Sequence, residues 1–536
     1  MSLPASVADV LANHVTLEVE CIDRMYLNLY QPKLVYPAGV VGFFKGHRGM
    51  PFVSSALMDP ISKNFVLGIH RFVKDRGLDL VHFTKGQRKD DVANGYLATH
   101  DGTERILFVG RAQERSNVFR TEKRVNAETG KRYPWIVTAS AIVNHFYFYG
   151  HDDDFGPFFF KFGTYFPYTA RVCLNGHHFA QRQAAKAGIG FQSLDNGFVS
   201  TDDPEALRLI CRSLTPARIE TFVRKWLQIL PHPFSPEDQA AGYHYDISIL
   251  QAEFSLTQVL DRPMAGRVFF EEVIRQNLDA GRPDQVSLTF GRRVTKRTPG
   301  RFRTRVLTEG VVPSLHVDYK SSRIKIYHKQ GQALRTETTV NNTRDFGIGR
   351  RLHNLPALRV VGFSANRRLL GVLRTSCDAL AGDGIYDRVC KPVVVDGQRS
   401  PGLRLDHPVT QALLSALVVL HVLPSYGFTN HDLRELLAQA LGLTPDAMTQ
   451  GKMSYHLRRL RLHGLIERIP GTHRYLVTDL GLRASLFLTR AHRRLLVGGM
   501  AEVAGPDFHV PSRLRSAFDR LEAEMDRLLH RSRLAA

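Results

Sequence analysis

The stretch MSYHLRRLRLHGLIERIPGTHRYLVTDLG, residues 453–481, decides how the C-terminal part of this chain folds. Met453, Leu457 and Leu460 recur at helical spacing, which predicts a helix over about residues 450–463 with that stripe turned inward. Its other face then carries Lys452, Tyr455, His456, Arg458, Arg459 and Arg461. After Gly464, two short extended runs at residues 466–469 and 474–477 flank Pro470, Gly471 and Thr472, a hairpin with its tip. Upstream, Thr429 followed three residues later by Asp432 has the spacing of a capping box, and Leu433, Leu436, Leu437 and Leu441 line one side of the helix it opens. Gly442 and Pro445 supply the turn into the next helix, and residues 409–423 form a further apolar helix ahead of both.

Helix, turn, helix and a glycine-containing hairpin in this order resemble the winged helix-turn-helix domains of bacterial MarR- and ArsR-type regulators. The resemblance implies that the 450–463 helix enters a major groove while Arg468, His473 and Arg474 around the hairpin reach phosphate. DNA is the first partner it suggests. Winged helices also bind RNA or dock proteins, so a structured-RNA-binding protein that uses this module for protein docking is an alternative. Such regulators are small, whereas here the whole of residues 1–399 precedes the module, so a simple repressor is not expected. The remainder is similar to an uncharacterised group of bacterial proteins, a resemblance that implies no activity.

A chain of 536 residues exceeds what one hydrophobic core organises. The pattern reads as an α+β multidomain protein. Residues 1–122 form an N-terminal α/β domain, 123–251 an aromatic hairpin plus helices, and 252–399 a basic β-rich domain. Residues 400–500 hold the winged helix-turn-helix, and 501–536 a C-terminal helix suited to pairing within the chain or with a second copy. Lys and Arg number 72 against 51 Asp and Glu, a formal charge of +21 that attracts polyanions. The N-terminus lacks a basic start followed by an apolar run, and no apolar stretch reaches the ~20 residues of a membrane span, so a cytoplasmic protein without membrane contact is expected. Five scattered cysteines, with no Cys-x-x-Cys pair, argue against a disulfide framework.

The aromatic runs IVNHFYFY (residues 142–149) and PFFFKFGTYF (157–166) read as a hairpin closed by HDDDFG. Residues 292–335 are the most basic stretch, and their strand patterns predict a sheet whose Arg301, Arg303, Arg305, Arg323, Lys325 and Lys329 track a phosphate backbone.

Chemistry is harder to locate. Asp153, at the centre of three consecutive aspartates, has the hard oxygen ligands that Mg²⁺ prefers, although a hairpin turn explains it as well. Glu309, Asp318 and Lys320 resemble the acid and Asp-x-Lys elements of PD-(D/E)xK nucleases without the leading Pro-Asp, which implies two metal-holding carboxylates and a lysine that orients water. KIYHKQGQALRTE resembles part of some rolling-circle replication initiators. That likeness would make Tyr327 a nucleophile, but the paired histidines of that family are missing and an ordinary sheet tyrosine is the expected reading. A metal-dependent nuclease or a mobile-element or replication protein is therefore the second reading. No cofactor motif is evident, and Mg²⁺ is called for only by that enzymatic reading.

Overall fold

A computed structural model describes residues 14–261, 283–292, 294, 298–300, 304–309, 312–375, 386, 388–421, 427–444 and 447–492. The described residues mix α and β structure and include an eleven-stranded sheet. Two compact units divide the chain: His14–Phe270 with Arg305–Arg367, and a second that gathers Glu271–Thr304 and Arg368–Ala536.

The sheet belongs to the first unit. Its order is β10 (Thr304–Glu309), β11 (Val312–Tyr319), β12 (Ser322–Lys329), β13 (Ala333–Val340), β9 (Asp246–Leu260), β1 (Val15–Tyr30), β6 (Ala170–Asn175), β5 (Gly156–Gly163), β4 (Arg132–Asp152), β3 (Arg105–Val125) and β2 (Asp79–His82). Helices α1 (Pro37–Gly42), α2 (Met58–Asp75), α3 (Lys89–Ala98), α4 (Gly176–Lys186), α5 (Pro204–Arg212), α6 (Pro216–Ile229) and α7 (Pro236–Ala240) connect its strands, and α8 (Pro283–Phe290) and α9 (Leu355–Thr375) follow. Strands assigned from sequence to three separate domains thus lie side by side, and the expected breaks near residues 122 and 251 fall inside β-structure. The cause is β1, which pairs with β6 on one side and with the far later β9 on the other, as in Cys21↔Ser255. The expected α/β character survives locally: β2 and β3 pair in parallel through α3, while the other described pairings are antiparallel.

The aromatic hairpin is present as β4 and β5, from Asp152↔Gly156 to His145↔Gly163. Phe148, Phe160 and Phe162 are fully buried beneath α2 and α6. Phe65 and Phe72 of α2 meet Phe162 and Phe148 edge-on, and Phe222 of α6 stacks on Phe160. These rings are core, because alternation on a covered strand turns every second residue inward.

In the second unit α10 (Pro408–Leu420), α11 (Asn430–Leu441), α12 (Gln450–Leu462) and α13 (Asp479–Ala491) surround a core of Leu413, Leu417, Leu433, Leu437, Met453, Leu457, Leu460 and Ile466. Thr429 and Asp432 cap α11 reciprocally, and Gly442 ends it at φ 70°, the left-handed position that favours glycine. Strands β16 (Ile466–Arg468) and β17 (Tyr475–Val477) pair in register, and Tyr475 also bridges Phe428. A second hairpin, β14 (Val393–Val395) and β15 (Gln398–Ser400), turns at Asp396 and Gly397, both with positive φ as a two-residue turn requires. Among the described residues no helix is long and apolar enough to cross a membrane. The expected C-terminal helix at 501–536 lies outside the described residues.

Candidate functional site

Helix α12 presents its cations in a row that crosses the exposed half of the helix, shifting about 60° at each step of three residues. Lys452, Tyr455, Arg458 and Arg461, spaced three apart, are all exposed, while Met453, Leu457 and Leu460 are buried behind them. Thr449 caps the start through Lys452 N. Among the described residues no carboxylate pairs with any of the three cations in this ridge. The hairpin adds exposed Arg468, His473 and Arg474; Arg468 Nε donates to Thr472 O at 2.8 Å, which holds that side chain along the tip. Glu467 is the one acidic residue between 450 and 478.

Two residues expected on this surface have other roles. Arg459 donates to the carbonyl oxygens of Pro401 (3.2 Å) and Gly402, bracing the loop behind β15. His456 is half-buried, and burial, followed by the charge of Arg459 and then His407, holds its imidazole below the usual range. It is a neutral side chain at pH 7. The open cationic surface is therefore Lys452, Tyr455, Arg458 and Arg461 with the β16–β17 tip, since Arg459 and His463 are taken up by the carbonyls of the loop after β15, while Arg458 stays exposed although its Nε reaches Gln398 Oε1 of β15 at 3.4 Å.

The basic strands of the first unit behave differently. Asp318 accepts from Arg305 at 2.9 Å and Arg323 at 3.1 Å, Glu337 binds Lys325 at 2.6 Å, and Lys329 is buried with Asp195 4.0 Å away. These cations do not form the continuous phosphate track expected from sequence, because antiparallel pairing sets carboxylates beside them. Arg301 and Arg303 lie outside the described residues, as does the side chain of Glu309, whose backbone ends β10.

The same pairing takes apart the Asp-x-Lys triplet. Asp318 is engaged by two arginines, and Lys320, at φ 52° in the β11–β12 turn, donates to Asp345 O at 3.2 Å. In the aspartate triplet each member has its own partner. Asp152 accepts from Trp226 Nε1 and Lys225 Nζ at 2.9 Å, Asp153 lies 3.6 Å from Arg182, and Asp154 binds Lys186 at 2.6 Å. The side chains diverge from one turn. Among the described residues no group of three or more His, Cys, Asp or Glu side chains is arranged to hold a metal ion.

A feature that sequence reading did not find lies where β1 meets β9 and β13. The register runs Ile22↔Phe254 and then Met25↔Ala252, so Asp23 and Arg24 together oppose Glu253 in a β-bulge. Bulges re-aim side chains, and this one brings Asp23 to Arg335, whose Nη2 lies 2.6 Å from Asp23 Oδ2. Arg335 is 0% exposed, and its Nε donates to Glu337 Oε1 at 2.6 Å. Tyr327 donates to the same Glu337 oxygen at 2.9 Å, and burial, then the Glu337 charge, pushes its hydroxyl well above the usual range. His177, from the first turn of α4, places Nε2 3.0 Å from Arg335 and 2.9 Å from Ser255; burial, then Arg335, keeps it neutral. Asn196 binds Asp23 from the turn between β7 (Phe191–Leu194) and β8 (Gly197–Thr201). The alternation of LRTET was legible as a strand. Its meeting with Asp23, near the start of the chain, carried no local signal.

Comparison of the chain with protein-family models, with curated proteins and with solved structures finds no match in any of the three.

Proposed function

We propose that this protein binds duplex nucleic acid, DNA in the first place, through a winged helix-turn-helix formed by α10, α11, α12 and the β16–β17 hairpin. The observation that carries the reading is the exposed ridge Lys452, Tyr455, Arg458, Arg461, continued by Arg468, His473 and Arg474 at the hairpin tip, with a single acidic residue among them. A helix of this width fits a major groove, and its N-terminal residues are the ones that reach base edges in helix-turn-helix docking. The overall charge of +21 adds attraction at long range.

Gel-shift titration of a duplex at several salt concentrations tests this. The expected result is binding whose log affinity falls linearly with log salt, and a Lys452→Ala/Arg458→Ala protein with about tenfold weaker binding and a slope smaller by roughly 2, each phosphate contact contributing about 0.9. Unchanged affinity and slope in the double variant would sink the proposal, as would no binding at low salt.

A further inference from the structure

Strands β3 and β4 continue past the body of the first unit as a two-stranded arm. Pairing runs without interruption from Phe108↔Tyr149 to Val125↔Arg132. The arm is anchored where Thr121 Oγ1 accepts from Ser55 N at 2.6 Å and where Phe119 and Ile136 are buried. Beyond that point every residue from 123 to 135 is exposed. The tip is ordered by its own hydrogen bonds: Asn126 Oδ1 accepts from Glu128 N at 2.9 Å and Thr129 N at 3.0 Å, and Gly130 N reaches Asn126 O at 2.9 Å.

Directly opposed residues share a face of a ribbon. Arg124 and Tyr133 therefore lie on one face with Trp135, and the Arg124 guanidinium stands 5.0 Å over the Trp135 ring. Val125, Arg132, Lys123 and Pro134 share the other. From residue 120 to 135 the cations are Arg120, Lys123, Arg124, Lys131 and Arg132, against Glu122 and Glu128, and Glu122 is already paired with Arg120 at 3.2 Å. Trp135, Tyr133 and Val125 remain 46%, 39% and 59% exposed. Val125 stands with Lys123 and Arg132 on one face and Arg124 with the two aromatic rings on the other, so both faces of the tip carry cations, and Lys123, Lys131 and Arg132 have no carboxylate partner among the described residues. Such a surface is complementary to a groove walled by phosphates. A two-stranded ribbon is also narrow enough for the ~12 Å major groove. We infer that this arm is a second nucleic-acid contact, its tip entering the groove edge-on so that Lys123 and Arg132 on one face, and Arg124 beside Trp135 and Tyr133 on the other, meet the phosphates of the two walls. The inference rests on the nucleic-acid reading above but not on α12.

Trp135 is its own reporter, since the chain has two tryptophans and Trp226 is buried. Acrylamide quenching of the full-length protein is measured with and without a saturating duplex, alongside the affinity of a Lys123→Ala/Arg124→Ala/Arg132→Ala protein. Expected are at least twofold protection of the tryptophan emission on binding and about tenfold weaker affinity in the variant, with a salt slope smaller by roughly 2 to 3. All three side chains are exposed, so folding is expected to survive, and an unchanged melting temperature checks this. If the duplex binds while quenching and variant affinity stay as they were, the arm is not a contact and the nucleic-acid reading stands. If the intact protein binds no duplex at low salt, both fall.

Discussion

Strands β10–β13 and helix α12 are both dense in arginine and lysine, yet the sheet pairs its cations internally and the helix does not. In the sheet Arg305 and Arg323 share Asp318, and Lys325 and Arg335 share Glu337. On α12 Lys452, Arg458 and Arg461 face solvent with no carboxylate beside them among the described residues. The difference follows from backbone geometry. A helix sees its own residues three and four apart, so an acid-poor segment stays acid-poor once folded. A strand sees whatever its neighbours bring, and β13 meets Asp23 from the opposite end of the first unit's sequence.

The strongest way to sharpen this contrast is Arg335→Met. The substitution roughly keeps the volume, leaves the buried Asp23 carboxylate without its cation and leaves Glu337 with Lys325 alone, a loss of about 3–5 kcal/mol for a broken buried pair. Thermal or urea unfolding is expected to show that loss, or the protein to be recovered unfolded. A melting temperature within about 2 °C of wild type would mean that the cluster is open to water and that the sheet's charges are less internal than described.

How much of this was legible beforehand tracks the same distinction. The capping box at Thr429 and Asp432, the Met453–Leu457–Leu460 stripe and the hairpin around Gly471 are local, and the helices and strands expected there are present to within a few residues. So is the 142–166 hairpin, whose turn chemistry sits in the consecutive residues HDDDFG. What could not be read is pairing order. Counting cations between Arg292 and Arg335 missed Asp23 and Asp195, because partners contributed by β1 and the β7–β8 turn are invisible to a window along the chain, and it ended two residues short of Glu337. The break expected at residue 122 fell inside the β3–β4 hairpin for a similar reason: its strands are polar outside the core and carry little periodicity there.

A smaller effect is expected at the acidic side of the cluster. Burial, with Asp23 and Glu337 nearby and Lys325 and Arg24 pulling the other way, raises the Glu253 carboxyl from 4.5 to about 7. The folded protein thus keeps a proton that the unfolded chain releases. The stability this group contributes is fully present below about pH 4.5 and is lost as pH rises through about 7. Glu253→Gln removes that loss. Between pH 6 and 9 the variant is expected to gain on wild type by about 1–2 kcal/mol, a melting-temperature difference of a few degrees. Parallel profiles across that range would show that Glu253 is not held apart from water by the bulge.

The smallest effect is the most direct test of the comparison. Arg323 is 43% exposed at its side chain, and Asp318 keeps Arg305 when Arg323 is removed. Arg323→Ala is therefore expected to cost less than about 1 kcal/mol, as exposed ion pairs do. More telling is its effect on nucleic acid. If β10–β12 form an internally neutralised face, this variant binds duplex with wild-type affinity and an unchanged salt slope, whereas Arg458→Ala lowers the slope by about 0.9. Should Arg323→Ala lower the slope by the same amount, Arg323 contacts phosphate in spite of Asp318, the face is a track after all, and the pairing in the free protein gives way when the polyanion arrives.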